Sequence, residues 1–303
     1  MRMASGSTSG LTCGHSNKIM KIAFLILAHK NPKQLERLLR AMKHPAFDFY
    51  IHIDKKTAAE PFAYLFNEET VFPIHNRVKV YWAGWGTIQA TINGFKEILP
   101  QQYDYINVMS AQDFPIKPAD YIYQYINERK GQEFMSCESV DDEWSEAASR
   151  VYKYHLINWQ IPGRHRLENI INRILPKRQY PLNHKIVGRA NWFTITKDAT
   201  KYLLDTIDQH PEVVRYFKYC WGADEIIFPT ILFNSQYKER LVDNLMYVDW
   251  SGPKTGHPKI LTTNDIEKLK RSDKLLARKF DMDIDSAVFS SLEQWVSINH
   301  VTT

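Results

Sequence analysis

The segment Trp221-Gly222-Ala223-Asp224-Glu225 sets two carboxylates side by side just ahead of the apolar run Ile226–Leu232. A helix starting there would turn its positive end toward them, where negative charge is stabilised. A carboxylate held in that way can take the proton of a hydroxyl as its oxygen attacks, which is the work of a general base. Glu225 fits that task, with Asp224 capping or positioning. Two carboxylates that only cap a helix would read the same. A second group is cationic: Lys259 in His257-Pro258-Lys259, then Arg278 and Lys279 in Leu276-Ala277-Arg278-Lys279-Phe280-Asp281. Fixed cations can neutralise charge growing on a departing diphosphate, as a divalent metal otherwise does. Solvated surface lysines would look alike.

A third run, Asp281-Met282-Asp283-Ile284-Asp285, invites a metal reading. It fails as a calcium loop, because Ser286 stands where glycine is required and Leu292 where the closing glutamate should be. It could still match a short acidic metal-binding element. Its place near the C-terminus and away from a strand end argues against that, so no metal is expected. The eleven histidines show no ligand-type spacing, and His29 and His257 stand out by position alone. No phosphate-binding glycine loop or nucleophile elbow is present.

The elements that must carry these groups alternate. Lys21–Leu27 is a continuous apolar run, as in a strand covered on both faces. Asn31-Pro32 then marks a helix start, with Leu35, Leu38, Leu39 and Met42 at helical spacing. Further strands are expected at Phe49–Ile53, Val78–Trp82, Tyr105–Met109, Phe134–Cys137 and Asn191–Thr196. Helical stretches are expected at Ile88–Ile98 and Ala119–Glu128, with a partly amphipathic one at Arg164–Pro176 and a capped one opening at Asn264 with Glu267. This order predicts an α/β fold, a mostly parallel central sheet with helices on both faces, in one domain over residues 20–303. Ligands of such sheets bind beyond the carboxyl ends of the strands, where His29, Asp54, Gly84–Gly86 and Asp113 fall.

Composition bounds the partners. The 303 residues carry a net charge of +5 with no Lys/Arg block, which suits an anionic ligand and excludes a nucleic-acid arm. Eight Trp and sixteen Tyr suit stacking on sugar faces, though large cores use them too. The three cysteines, Cys13, Cys137 and Cys220, form no disulfide framework and point to a reducing compartment. Residues 1–19, rich in Ser, Gly and Thr, are expected to be a disordered leader or a cloning remnant. No apolar run has transmembrane length.

Several stretches, taken in order, carry a resemblance. They are Ala28-His29-Lys30, Ile51–Lys56, Trp82–Gly86 leading to Gln89, Asn107–Lys117, Trp192–Thr196, Trp221–Glu225, Tyr247–Ser251, His257–Lys259 and Ala277–Asp281. Together they resemble the core-2/I-branching N-acetylglucosaminyltransferase family, which also includes peptide O-xylosyltransferases and bacterial members. The resemblance implies a variant GT-A glycosyltransferase fold, an inverting displacement and no metal cofactor. It places the general base on Glu225 and the diphosphate cations on Lys259 and Lys279, with Arg278 beside them. At the first of these the mammalian branching enzymes have arginine, so Lys259 offers a point charge without a bidentate fork. It puts Asp54, Trp85 and Gly86, with His29, in the nucleotide pocket. Arg150, Asp113, Trp192, Asp224 and Trp250 are left to contact the acceptor or support the site.

The expected reaction moves a sugar, N-acetylglucosamine or xylose, from a UDP-sugar to a hydroxyl of a glycan or lipid-linked glycan. The expected setting is surface-glycan synthesis in a bacterial cytoplasm, with no nucleic-acid partner. The basic stretch Trp159–Arg178, with its Trp and Ile residues, fits either a solvated loop or contact with an anionic inner-membrane face. Two other readings stay open at this point. One is a glycan- or nucleotide-binding module without catalysis; the other is a metal-dependent transferase using Asp281, Asp283 and Asp285.

Overall fold

The structure, a computed structural model, describes residues 19–189, 191–252 and 256–298; the expected leader lies almost wholly outside them. The chain opens with β1 (Ile22–Ala28), α1 (Pro32–Ala41), β2 (Phe47–Ile53), β3 (Val71–Pro73) and α2 (Trp85–Ile98). Next come β4 (Tyr105–Ser110), β5 (Asp113–Pro115), α3 (Ala119–Glu128), β6 (Glu133–Phe134) and β7 (Cys137–Ser139). They lead to α4 (Ala148–Tyr152), α5 (Arg164–Ile174), β8 (Val187–Arg189), β9 (Phe193–Thr196), α6 (Lys197–Gln209) and α7 (Pro211–Phe217). The chain closes with α8 (Ile227–Phe233), β10 (Leu241–Val242), β11 (Met246–Val248), α9 (Ile266–Arg271), β12 (Leu276–Arg278) and α10 (Ala287–Ile298).

The main sheet runs β10-β6-β9-β4-β1-β2-β3. Every pairing from β4 to β3 is parallel, while β9 runs antiparallel to both of its neighbours. The α/β fold expected from the alternation is therefore present, with a mixed rather than uniform sheet. All seven residues of β1 are buried, which its unbroken apolar run requires. The start of α1 also matches: Asn31 caps it, its side chain accepting from the Gln34 N–H at 3.2 Å, with Pro32 in the first turn. A smaller sheet, β11-β12-β5, sets Val248, Arg278 and Asp113 in one row across three strands.

Three local expectations fail for identifiable reasons. Val78–Trp82 is not a strand; the sheet edge is β3, seven residues earlier at its start. Side chains claim the backbone of that segment: the His52 Nε2 accepts from the Val78 N–H at 3.1 Å, and the Asp54 carboxylate accepts from the Val80 N–H at 3.3 Å. The expected strand Phe134–Cys137 breaks in two around Met135, whose N–H turns to the Glu133 and Val242 carbonyls, at 3.0 and 2.9 Å. The cap before α9 is not Asn264 with Glu267. It is Thr262 with Asp265, which accepts from the Thr262 N–H at 3.0 Å.

Candidate active site

The Asp224–Glu225 turn is held from both sides. It forms a single 3₁₀ turn, Ala223–Glu225, entered through Gly222 in the left-handed region at φ 63°. Strand β8 lies so close that a Cβ on Gly188 would come within 2.4 Å of the Glu225 carbonyl. Thr230 of α8 fixes that approach, its hydroxyl donating to the Val187 carbonyl at 2.9 Å and accepting from the Val187 N–H at 3.1 Å. Asp224 is buried and accepts from the Asn191 side-chain amide at 3.0 Å. Glu225 keeps an exposed edge and accepts from Arg150 Nη1 at 2.7 Å. The Arg150 guanidinium lies between the rings of Trp144 and Trp221, at 5.0 and 4.6 Å from their centroids.

These surroundings set the proton affinity. Burial, and then the neighbouring Asp224, push the Glu225 carboxyl up to about 7 against the pull of Arg150 and Arg278. Burial also raises Asp224, opposed by Asn191 and by the same two arginines. Near neutrality Glu225 can thus both hold and release a proton, as a general base requires.

The cationic end is built on the small sheet. Asp113 is fully buried, accepts from the Ser110 N–H at 2.7 Å and faces the Arg278 Nε at 3.7 Å. Burial raises its carboxyl, with Arg278 the main opposing influence. The Arg278 guanidinium lies 4.7 Å from the ring centroid of Trp192, whose buried indole N–H has no hydrogen-bond partner among the described residues. Lys279 follows and forms no ion pair among the described residues. Burial, then Arg278 and Lys30, lower its ammonium pKa. Burial and then Lys279 lower both His29 and His257, so each imidazole is neutral at pH 7. Arg278 is the shared member, since its charge acts on Asp224, Glu225, His257 and Lys279 alike.

The other candidates divide. Asp54 lies at the end of β2 and acts on His29, and its carboxylate accepts from the Lys56 N–H at 2.9 Å as well as from Val80. The chain just after Lys259 meets Lys279, the Leu261 N–H donating to the Lys279 carbonyl at 2.8 Å. The Lys259 ammonium, however, is engaged by the Asp265 carboxylate at 2.5 Å. Trp250 is exposed beyond the end of β11. Trp85 donates its ring N–H to Gln89 at 3.2 Å and its backbone N–H to Asn158 at 2.7 Å. Gly86 is needed for close approach: a Cβ there would sit 2.4 Å from the Lys79 carbonyl.

The residues that join the two ends have no site role in the sequence reading. Trp82 packs edge-on against Trp221 at 5.0 Å and lies 4.9 Å from His257, which links the carboxylate turn to the cationic loop. Buried Gln34 donates to the Ala111 carbonyl at 2.9 Å and accepts from the Met282 N–H at 2.9 Å, fixing the loop after Lys279. One signal for Gln34 was available: it is a polar residue next to Leu35 on the apolar face of α1.

The acidic run 281–285 is engaged elsewhere. Asp281 accepts from Lys30 at 2.6 Å and Asp283 from Asn31 at 3.1 Å. Asp285 accepts from the N–H groups of Thr263, Ala287 and Val288 and so caps α10. Among the described residues no three His, Cys, Asp or Glu side chains are grouped as a metal would need. Cys137 and Cys220 are free thiols, and no described helix is long and apolar enough to cross a membrane.

The model of the core-2/I-branching enzymes matches residues 22–270, and the chain belongs to that family of glycosyltransferases. Among curated proteins it is similar to xylosyltransferase 2 of Rattus norvegicus, 24% identical with 92% of this chain and 34% of that protein aligned. Xylosyltransferase 2 of Homo sapiens is also 24% identical, over 90% of this chain and 33% of its own length. The chain thus spans about a third of the relatives it matches. Among solved structures, core-mannan synthase A of Aspergillus fumigatus aligns over 78% of each chain at 11% identity, with a TM-score of 0.39, too remote to speak for this chain's chemistry.

Proposed function

We propose that this protein is an inverting glycosyltransferase that moves a sugar from a UDP-sugar to a hydroxyl of a glycan or lipid-linked glycan without a metal cofactor. The observation that carries this reading is Glu225, raised to about 7 and fixed by Arg150, with the charge of Arg278 felt at both Glu225 and Lys279. In the reaction the Glu225 carboxylate takes the proton of the acceptor hydroxyl. The oxygen bonds to the anomeric carbon from the face opposite UDP. The bond from that carbon to the diphosphate oxygen breaks, and its electron pair leaves with UDP. Lys279 and Arg278 stabilise the charge that arrives on the diphosphate, which is the electrostatic task a metal performs in other transferases. Lys259 would join them by leaving Asp265 when the diphosphate binds. Asp113 and Trp192 hold Arg278 in place, Asn191 and Asp224 hold the turn, and His29 and Asp54 border the nucleotide side.

Xylose and N-acetylglucosamine are the donor sugars of first choice, the former because the aligned relatives are xylosyltransferases. The test is turnover and binding of a UDP-sugar panel with EDTA present. Transfer that persists in chelator, with one sugar preferred, is expected. Loss of binding on chelation would overturn the metal-independent mechanism, and failure to bind any UDP-sugar would overturn the donor assignment.

A further inference from the structure

Helix α5 is turned inside out. Three of its polar side chains, Arg164, Glu168 and Asn172, face the protein: Asn172 accepts from the Tyr154 N–H at 2.7 Å and donates to the Tyr154 carbonyl at 2.8 Å. Glu168 accepts from the Leu156 N–H at 2.7 Å, and Arg164 lies 3.7 Å from Glu168. These three positions are four residues apart and share one face. The opposite stripe, Leu167, Ile170 and Ile174, faces solvent, with Ile170 55% and Ile174 73% exposed. No residue of the helix is buried. Trp159 and Ile161 before it and Leu175 after it continue the exposed apolar surface. Exposed apolar side chains gathered in this way on one short segment mark a surface that something covers.

The charges around the patch indicate what covers it. Arg166 and Arg173 project beside Ile170 at helical spacing, and Lys177 follows the helix. All three are exposed, and none forms an ion pair among the described residues. The helix has one acidic residue, Glu168, and it is turned to the body. The outer face therefore combines aliphatic and indole side chains with cations and carries no anion.

We propose that α5 and its flanks dock on an anionic lipid bilayer, with the apolar stripe at the headgroup boundary and Arg166, Arg173 and Lys177 at the lipid phosphates. A second copy of the chain would bring the same unpaired cations to the face, whereas an anionic surface neutralises them. The docked face is fixed relative to the carboxylate turn. Arg178, just beyond α5, donates to the Val151 carbonyl at 3.2 Å and to the Tyr216 carbonyl, and Val151 adjoins Arg150. Docking requires no transfer activity, so it stands or falls apart from the reaction.

The test is cosedimentation of the full chain with vesicles of phosphatidylcholine alone or mixed with phosphatidylglycerol, at low and high salt. Partition should rise about tenfold or more on the anionic vesicles and collapse in high salt. The pair Arg166→Glu and Arg173→Glu should cut it about tenfold, and Ile170→Ser with Ile174→Ser should abolish it. All four side chains are exposed, and circular dichroism and UDP binding should match the wild type in both variants. Equal binding to both vesicle types, binding to neither, or binding that neither pair of substitutions alters would overturn the proposal. A concentration-dependent dimer dissolved by the isoleucine substitutions, with no vesicle binding, would assign the face to a second copy instead.

Discussion

Two acidic runs stand out in this chain, Asp224-Glu225 and Asp281-Met282-Asp283-Ile284-Asp285, and their surroundings push them in opposite directions. At the first, burial and the adjacent Asp224 raise Glu225 to about 7 despite two arginines. At the second, the partial burial of Asp281 is outweighed by Lys30, and Asp285 is held low chiefly by the Thr263 N–H. The first pair keeps a proton affinity suited to catalysis; the second is committed to fixing Lys30 and capping α10. Acidic composition alone does not separate them. What separates them is how completely water is excluded and how many donors each carboxylate meets.

That contrast can be broken by substitution. The largest effect belongs to Glu225→Gln, which keeps the shape and removes the proposed base. Turnover should fall about a thousandfold while the Kd for UDP moves less than about threefold, measured by initial rates and calorimetry. Lys279→Ala removes a cation proposed to face the leaving group and should cost about a hundredfold in kcat/KM with weaker UDP binding in the same titration.

Arg150→Gln removes a cation that favours the ionised form of Glu225. The Glu225 carboxyl should then rise further, moving the rising limb of the rate profile to higher pH, with about a tenfold loss at pH 7 that recovers in alkali. Asp283→Asn, at the exposed middle of the second run, should change rates by less than about twofold, with or without chelator.

A last, smaller effect concerns stability. The folded Glu225 carboxyl lies above its ordinary 4.5, so between there and about 7 the folded state binds the extra proton and loses stability as pH rises. Glu225→Gln should therefore raise Tm at about pH 8 and do less at about pH 5, in thermal melts.

Parts of this arrangement were legible without coordinates. The unbroken apolar run of β1, the Asn31-Pro32 start of α1 and the bounds of α3 follow from local pattern. The adjacent carboxylates and the Arg278-Lys279 pair could be seen because each is contiguous in sequence. What could not be read depends on contacts between distant segments. Arg150 meets Glu225 across 75 positions, and Gln34 reaches the loop at Met282 across 248. Residues 78–82 look like a strand, yet His52 and Asp54 occupy the backbone groups that a strand would offer. The outward turn of α5 was equally hidden, since a partly amphipathic helix does not declare which face it buries.

The measurement that tests the central claim most directly is the pH profile of sugar transfer by the wild type and by Glu225→Gln. The account predicts a wild-type rate that climbs through a limb near pH 7 to a plateau, about tenfold lower at pH 6, and a residual mutant rate without that limb. A wild-type rate flat across this range, or the same limb persisting in the mutant, would contradict Glu225 as the base.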